Sequence, residues 1–351
     1  MMSKAADKHA GMHFPFTDGI EGLQGAELRE GIRGFRLPLP FALDHVNCWL
    51  LGEAGDHVLI DTGVDLPSTR ELLQHHLAAL PNNGGVPTPE RLLATHFHPD
   101  HIGLAGWFSA AGSALLGSGI ETTISRLLWN TEDQSYADFY VDWYTENGLP
   151  QSVIQTVKKS PNTYKKVVHS PPDESLWTLL EQGQSVELGG HSYEVIIGRG
   201  HAPDMIMLYR AHDRVLIAAD QVLPSISPNV SVMPRLDDQN PLHSFLETLE
   251  RLKILPEDTL VLPSHGAPFV GLHARLNVLR EHHELRLSEV LEACDEPRSA
   301  HDLFAVLFRR ELDAQQMSFA LGESLAHLHY LENQGKLTRC NHDGVTRFVI
   351  A

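Results

Sequence analysis

Three histidines and an aspartate fall within six positions of this chain, in Thr95-His96-Phe97-His98-Pro99-Asp100-His101-Ile102-Gly103. Imidazole nitrogens and a carboxylate are the ligands that a borderline divalent metal such as zinc selects. Side chains two apart on an extended chain point the same way, so His96 and His98 project together where a strand ends. Asp100 can follow them, and His101 turns in from the first residues of a helix. The chain carries 22 histidines, and scattered surface positions would give this spacing only rarely.

Further ligand-type residues stand where other apolar runs stop. His201 lies in Gly198-Arg199-Gly200-His201-Ala202-Pro203, Asp220 follows Ala218-Ala219, and His265 sits between Ser264 and Gly266. Asp61 opens Asp61-Thr62-Gly63 after another such run. In open α/β sheets, sites gather where strand ends meet loops. Taken singly, His201 or His265 would more often be a capping or surface residue; the recurrence of the same position argues for one shared cleft. No G-x-S-x-G elbow, P-loop or G-x-G-x-x-G fingerprint is present, so no nucleophilic serine or phosphate cradle competes with the metal reading.

The elements that would position these residues can be read from hydropathy. Short strands are expected at 32–39, 45–51 and 57–60, then a helix over 66–80, a buried strand at 92–94 and another at 113–116. The tight turns between the first strands favour antiparallel pairing. From about 120 to 180 the spacing becomes helical and aromatic-rich. Alternation returns at 192–197, 205–209 and 215–219. A proline-punctuated loop at 224–234, a helix over 241–255 and a strand at 259–262 complete an α/β core with helix-covered sheets. The last seventy residues read as helices near 271–294, 300–308 and 315–333, then a hairpin around Asn341-His342-Asp343-Gly344. The expected division is a lead-in at 1–28, a catalytic domain at 29–280 with a helical insert at 120–180, and a small domain at 281–351.

At 351 residues the length suggests about two domains. The net charge of −18 argues against a nucleic-acid or anionic-membrane surface as the main business of the protein. Three dispersed cysteines, Cys48, Cys294 and Cys340, form no C-x-x-C pair and fit a reducing cytosol. No signal-peptide core and no run of roughly 18 apolar residues is seen. A cytoplasmic location is therefore expected.

The order Asp61, His96-His98-Asp100-His101, His201, Asp220, His265 resembles the five motifs of the metallo-β-lactamase superfamily, over about residues 30 to 270. The branch it looks most similar to carries a C-terminal winged-helix domain. The resemblance implies a four-layered αβ/βα sandwich with a helical insert and a small winged-helix-like tail. It implies that His96, His98 and His201 bind one metal, that Asp100, His101 and His265 bind another, and that Asp220 bridges them together with a water or hydroxide. Asp100 and Asp220 would be the catalytic carboxylates, and Asp61 would orient the histidine loop from behind. Two divalent ions, zinc first with iron or manganese as alternatives, would make hydroxide available at neutral pH and polarise the bond under attack. Two departures stand out. Met205 occupies a position where relatives often have a second histidine, and Ala219 stands where glycine usually precedes the bridging aspartate.

A small-molecule ester, thioester or lactone is the expected substrate. Phosphodiester or RNA cleavage is the alternative, and a mononuclear iron oxygenase a third. Aromatics of the insert, including Trp143 and Tyr144, could line an acyl-binding cleft or pack the insert onto the core, and His45 could face the metals or the solvent. A regulator that senses a ligand and acts through the winged helix must also be weighed. Residues 281–351 hold 7 Lys and Arg against 12 Asp and Glu, and a duplex-reading helix wants the opposite balance. A role as a cap on the site or as a homodimer contact is favoured, with one face of the third helix, Phe319, Leu325, Leu328 and Leu331, expected to be buried.

Overall fold

Strand-end loops can converge only if the strands beneath them run the same way. In the computed structural model, which describes residues 9, 11–16, 25–41, 43–53, 55–159, 162–234, 236, 238–308 and 312–351, they do. Most of the expected lead-in at 1–28 lies outside the described residues. The first sheet begins with β1 (Ala26–Arg29), β2 (Ile32–Pro38), β3 (His45–Leu51) and β4 (Val58–Ile60), each antiparallel to the last. The helix α1 (Pro67–His76) and a two-rung hairpin, β5 (Asn82–Asn83) with β6 (Val86–Pro87), lead to β7 (Arg91–Leu93), parallel to β4. Next come α2 (Pro99–Ile102) and α3 (Ala105–Ala111), then β8 (Ala114–Gly117), parallel to β7.

The expected insert forms α4 (Gly119–Asn130), α5 (Asp133–Glu146), α6 (Gln151–Lys158) and α7 (Tyr164–Val167). Its last residues depart from the helical reading. Trp177–Leu179 becomes β9, the parallel edge strand of the first sheet. Three residues are too few for a periodicity to declare itself.

The second sheet runs β10 (Ser185–Leu188), β11 (His191–Gly198), β12 (Met205–Arg210), β13 (Val215–Ala219), β14 (Leu260–Pro263) and β15 (Phe269–Val270). Helix α8 (Pro241–Leu252) provides the crossover that the parallel β13–β14 pair requires. Because β12 is antiparallel to both its neighbours, β11, β13 and β14 share one direction. His201, Asp220 and His265 therefore leave the same edge. In the first sheet β4, β7 and β8 likewise end together, beside Asp61, His96 and the start of α4.

Period-two alternation decides the layers. Ile32, Trp49, Leu51, Ile60 and Leu93 of the first sheet meet Val195, Ile197, Ile206, Leu208 and Ile217 of the second in one buried core. Each such side chain, fully buried, contributes roughly 1.5–3 kcal/mol. The outer face of the first sheet, with Phe35, Val46, Leu59 and Leu92, is covered by Leu73 of α1 and Phe108 of α3. The outer face of the second, with Met207, Leu216 and Val261, is covered by Phe245 and Leu249 of α8.

That last core does not stop at the sheet. The 22-residue α9 (Leu272–Ala293) runs unbroken through position 280, where a boundary was expected. Beyond it come α10 (Phe304–Leu307), α11 (Ala314–Asn333) and a hairpin of β16 (Leu337–His342) with β17 (Val345–Ile350). Helix α11 starts with a capping box between Asp313 and Gln316. Its buried stripe is Leu321, Leu325, Leu328 and Leu331, which joins the core of the second sheet. Phe319 is not part of it: this side chain is 54% exposed, because a residue two before Leu321 lies across the helix. Among the described residues, no helix is long and apolar enough to cross a membrane.

Candidate metal centre

The structure brings all seven of the sequence-nominated ligand positions to one place. Donor atoms of His96, His98, His201 and Asp220 lie within 4.8 Å of one another, and those of Asp100, His101 and His265 form a second such group. The two groups adjoin. His265 Nε2 is 3.3 Å from Asp220 Oδ1 and 3.5 Å from Asp100 Oδ2, while His201 Nε2 is 3.3 Å from Asp220 Oδ2.

Three of the five imidazoles are aimed by a hydrogen bond from Nδ1 to a carboxylate or carbonyl oxygen. His101 Nδ1 donates to Asp61 Oδ2 at 2.7 Å. Asp61 also accepts from the Thr95 backbone N–H at 2.8 Å and from the Thr95 hydroxyl at 2.9 Å. His201 Nδ1 donates to the carbonyl of Asn229 at 2.8 Å, and His265 Nδ1 donates to the carbonyl of His45. These bonds leave Nε2 of all three rings facing inward, the arrangement by which a carbonyl or carboxylate fixes a ligating histidine.

His45 packs its ring edge-on against that of His265, with 6.0 Å between the centroids. Its ring nitrogens engage Asp44 and the Gly266 N–H, so it braces the His265 loop. Two left-handed backbones close the strand ends, Asp61 at φ 61° and Ala219 at φ 45°. Glycine would adopt the second without cost, so alanine there stores on the order of 1–2 kcal/mol of strain.

Electrostatics match this geometry. Burial pushes His96 well below the usual imidazole range and His98 down to about 3, so both imidazoles are neutral. Burial works against ionised Asp100 and Asp220, but His101 and His265 outweigh it; Asp100 falls to about 2 and Asp220 well below the usual range. Burial likewise opposes charge on His101 and His265, yet the surrounding aspartates raise both. The aspartates and the two raised imidazoles hold each other in their charged forms.

The donor set fits divalent cations on a direct observation. His101 Nε2, His201 Nε2, His265 Nε2 and Asp220 Oδ1 are all buried without a hydrogen-bond partner. Leaving four such atoms unsatisfied would cost about 1–3 kcal/mol each. Convergent coordination removes that cost.

Sequence reasoning passed over several supporting residues. Glu121, in the first turn of α4, is buried and accepts from the backbone N–H groups of Phe97 and Asp204. Met205 is fully buried among Phe97, Ile124 and Tyr164, so packing takes the place of the second histidine. The insert aromatics divide. Tyr144 is buried, with its hydroxyl on Ser318 of α11 at 2.6 Å, and Trp143 packs onto the same core. Tyr164 is buried under the histidine loop. Leu128, Trp129, Met233 and Leu236 are the partly buried apolar groups packed beside Phe97. A cavity of about 20 Å³ next to His201, between Pro203 and Met233, has room for about one water. His98 and Asp100 are the half-buried members of the cluster, the others being buried.

Comparison with known proteins agrees with this architecture. The model of the Metallo-beta-lactamase superfamily matches residues 42–265, and that of the Metallo-beta-lactamase-like C-terminal domain matches 287–351. A beta-lactamase domain protein from Burkholderia ambifaria is similar, with 36% identity, a TM-score of 0.86, and coverage of 98% of this chain and 99% of that one. A metallo-beta-lactamase family protein from Thermus thermophilus has 29% identity and a TM-score of 0.77, over 93% of this chain and 100% of that one. A Bacillus subtilis protein named as a probable metallo-hydrolase is 26% identical over 88% of this chain and 94% of its own length.

Proposed function

This chain belongs to the metallo-beta-lactamase superfamily, as a metallo-hydrolase with the C-terminal domain of that superfamily, and from that premise we propose that it hydrolyses an ester, thioester or lactone at a dinuclear centre. His96, His98 and His201 would hold one divalent ion, Asp100, His101 and His265 the other, with Asp220 shared. Ions so held would supply hydroxide at neutral pH and polarise the carbonyl under attack. Zinc is the first choice for a donor set of imidazoles and carboxylates, with iron and manganese as alternatives.

The protein's own residues do the rest. Asp61, Asn229 and His45 fix the ring orientations, so no reorganisation is needed when substrate arrives. The half-buried Asp100 and His98 would stand where substrate enters. Trp129, Met233 and Leu236 offer an apolar wall suited to an acyl or ring group, which favours a carbonyl substrate over a polyanion. The observation that carries the reading is the set of four buried, unpartnered donor atoms.

The C-terminal segment, helical with a two-stranded hairpin, is winged-helix-like in element order. Its excess of acidic residues supports a structural role over nucleic-acid binding, and a homodimer contact is compatible with it. In this reading the catalytic domain spans 29–280, with a helical insert at 120–180, and the tail spans 281–351. The protein would act in the cytoplasm on a small molecule.

Elemental analysis of protein purified without added metal, followed by a screen of thioesters, lactones and phosphodiesters, tests the proposal. Two divalent ions per chain with carbonyl-ester turnover is the expected result. Fewer than one ion per chain after zinc loading would overturn the dinuclear centre, and preferential phosphodiester cleavage would overturn the substrate class.

A further inference from the structure

We infer that Glu121 is a positioning residue that locks together the two loops carrying His96, His98 and His201. The inference rests on the metal-ligand reading above. Glu121 is 1% exposed, a costly place for a carboxyl group unless its oxygens are used. Both are used, on different loops. Oε2 accepts from the Phe97 N–H at 3.1 Å, and Oε1 accepts from the Asp204 N–H at 2.7 Å.

Phe97 is the residue between His96 and His98, and Asp204 lies three beyond His201. One side chain therefore spans the gap between two strand-end loops from different sheets. The two oxygens of one carboxyl group have a fixed separation, so the bridge sets the distance between the loops rather than merely filling space.

The other side of the Phe97 residue is held as well. The Tyr164 hydroxyl of α7 donates to the Phe97 carbonyl at 2.7 Å and lies 2.7 Å from Ser125 Oγ, from which it can accept. Backbone N–H and C=O of the residue between two ligands are thus both tied to the helical segment between β8 and β9. Met205, Ile124, Tyr164 and Phe97 share one small apolar cluster that closes this contact. The segment is on this view part of the metal centre's frame. A residue of this kind typically changes metal affinity about 10–100-fold when removed.

Substitution can separate bridging from simple filling. Glu121→Gln keeps the volume but offers one acceptor oxygen, so one of the two N–H groups must lose its partner. Glu121→Ala removes both, and Tyr164→Phe removes the hold on the carbonyl together with the Ser125 contact. Metal affinity should be measured by chelator competition, alongside amide hydrogen exchange at Phe97 and Asp204 and the electronic spectrum of the cobalt-loaded protein. The expected order of affinity is wild type, then Glu121→Gln, then Glu121→Ala, with a loss of about 10–100-fold at the end. Exchange at Phe97 and Asp204 should accelerate, and the cobalt spectrum should change. Folded variants with wild-type affinity and spectrum would overturn the inference. If Glu121→Ala does not fold, Glu121→Gln and Tyr164→Phe decide by the same readouts. Wild-type protein that binds no divalent ion would instead sink the metal-centre reading on which this one stands.

Discussion

The two halves of the site share Thr95, whose hydroxyl lies 2.9 Å from Asp61 Oδ2 and 3.0 Å from His96 Nδ1, but are otherwise supported by different parts of the molecule. Behind Asp100, His101 and His265 stand Asp61, Thr95 and the His45 carbonyl, all in or beside the antiparallel start of the first sheet. Arg36 and Asn47 finish that support by donating to the Gly266 carbonyl. Behind His96, His98 and His201 stand Glu121 and Tyr164 from the helical segment and Asn229 from the 224–234 loop. That loop is in turn held by α11, where the Gly322 carbonyl accepts from the Val232 N–H at 3.0 Å and Glu323 accepts from the Asn229 side chain at 3.4 Å. One half rests on the sandwich alone. The other is completed by segments laid on top of it, including the C-terminal helices, so those helices frame the site as well as cover a core.

The largest effect should come from Asp220, which lies 3.3 Å from both His201 Nε2 and His265 Nε2. Asp220→Asn keeps the side-chain volume but weakens the charge that both groups face. Hydrolysis should fall by on the order of 10²–10³, as when one preorganised electrostatic contact is removed, with circular dichroism unchanged. Turnover near wild type would remove Asp220 from the centre and leave the halves independent.

An intermediate effect is expected where the tail meets the loop. A Cβ at Gly322 would lie 2.7 Å from Ser231 Cβ and 3.0 Å from the Val232 carbonyl. Gly322→Ala should therefore cost about 1–3 kcal/mol by overpacking, read as a lower melting temperature. It should also reduce turnover through Asn229 and His201. A stability loss with turnover intact would show that the tail covers the sandwich without framing the site.

These contrasts bear on what a sequence discloses. The ligand cluster was legible because few residue types bind metals and because four strand ends repeated one pattern. Asp61 was legible by resemblance. Glu121 was not, since an acidic residue in a helix's first turn is ordinarily explained by the helix dipole, and nothing local says that it is buried. His45 was named for its ring, whereas the carbonyl holds His265. The strands were legible from alternation except β9, too short to alternate. Phe319 was placed on the buried stripe of α11 because helical spacing gives a face only to within a residue or two, and the docked loop decides the rest. Ala219 was legible as a departure, but that its backbone is left-handed, and so strained, was not.

The smallest effect is a pH dependence. Burial pushes the Glu323 carboxyl up to about 7, with Arg286 and the Asn229 side chain pulling it the other way. The folded protein thus holds this proton more tightly than the unfolded chain, whose value is near 4.5. The stabilisation is complete below about pH 4.5 and is lost as pH rises through about 7. Glu323→Gln, which stays neutral, should flatten that component of melting temperature against pH. Parallel curves for wild type and variant would contradict it.

Cadmium NMR of the loaded protein tests the division of support most directly, because each bound ion reports its own ligands. Two resonances are predicted. Asp61→Asn should displace mainly the one from the Asp100, His101 and His265 group, and Glu121→Gln mainly the one from the His96, His98 and His201 group. A single resonance, or two that shift equally in both variants, would contradict a centre whose halves are framed by different parts of the fold.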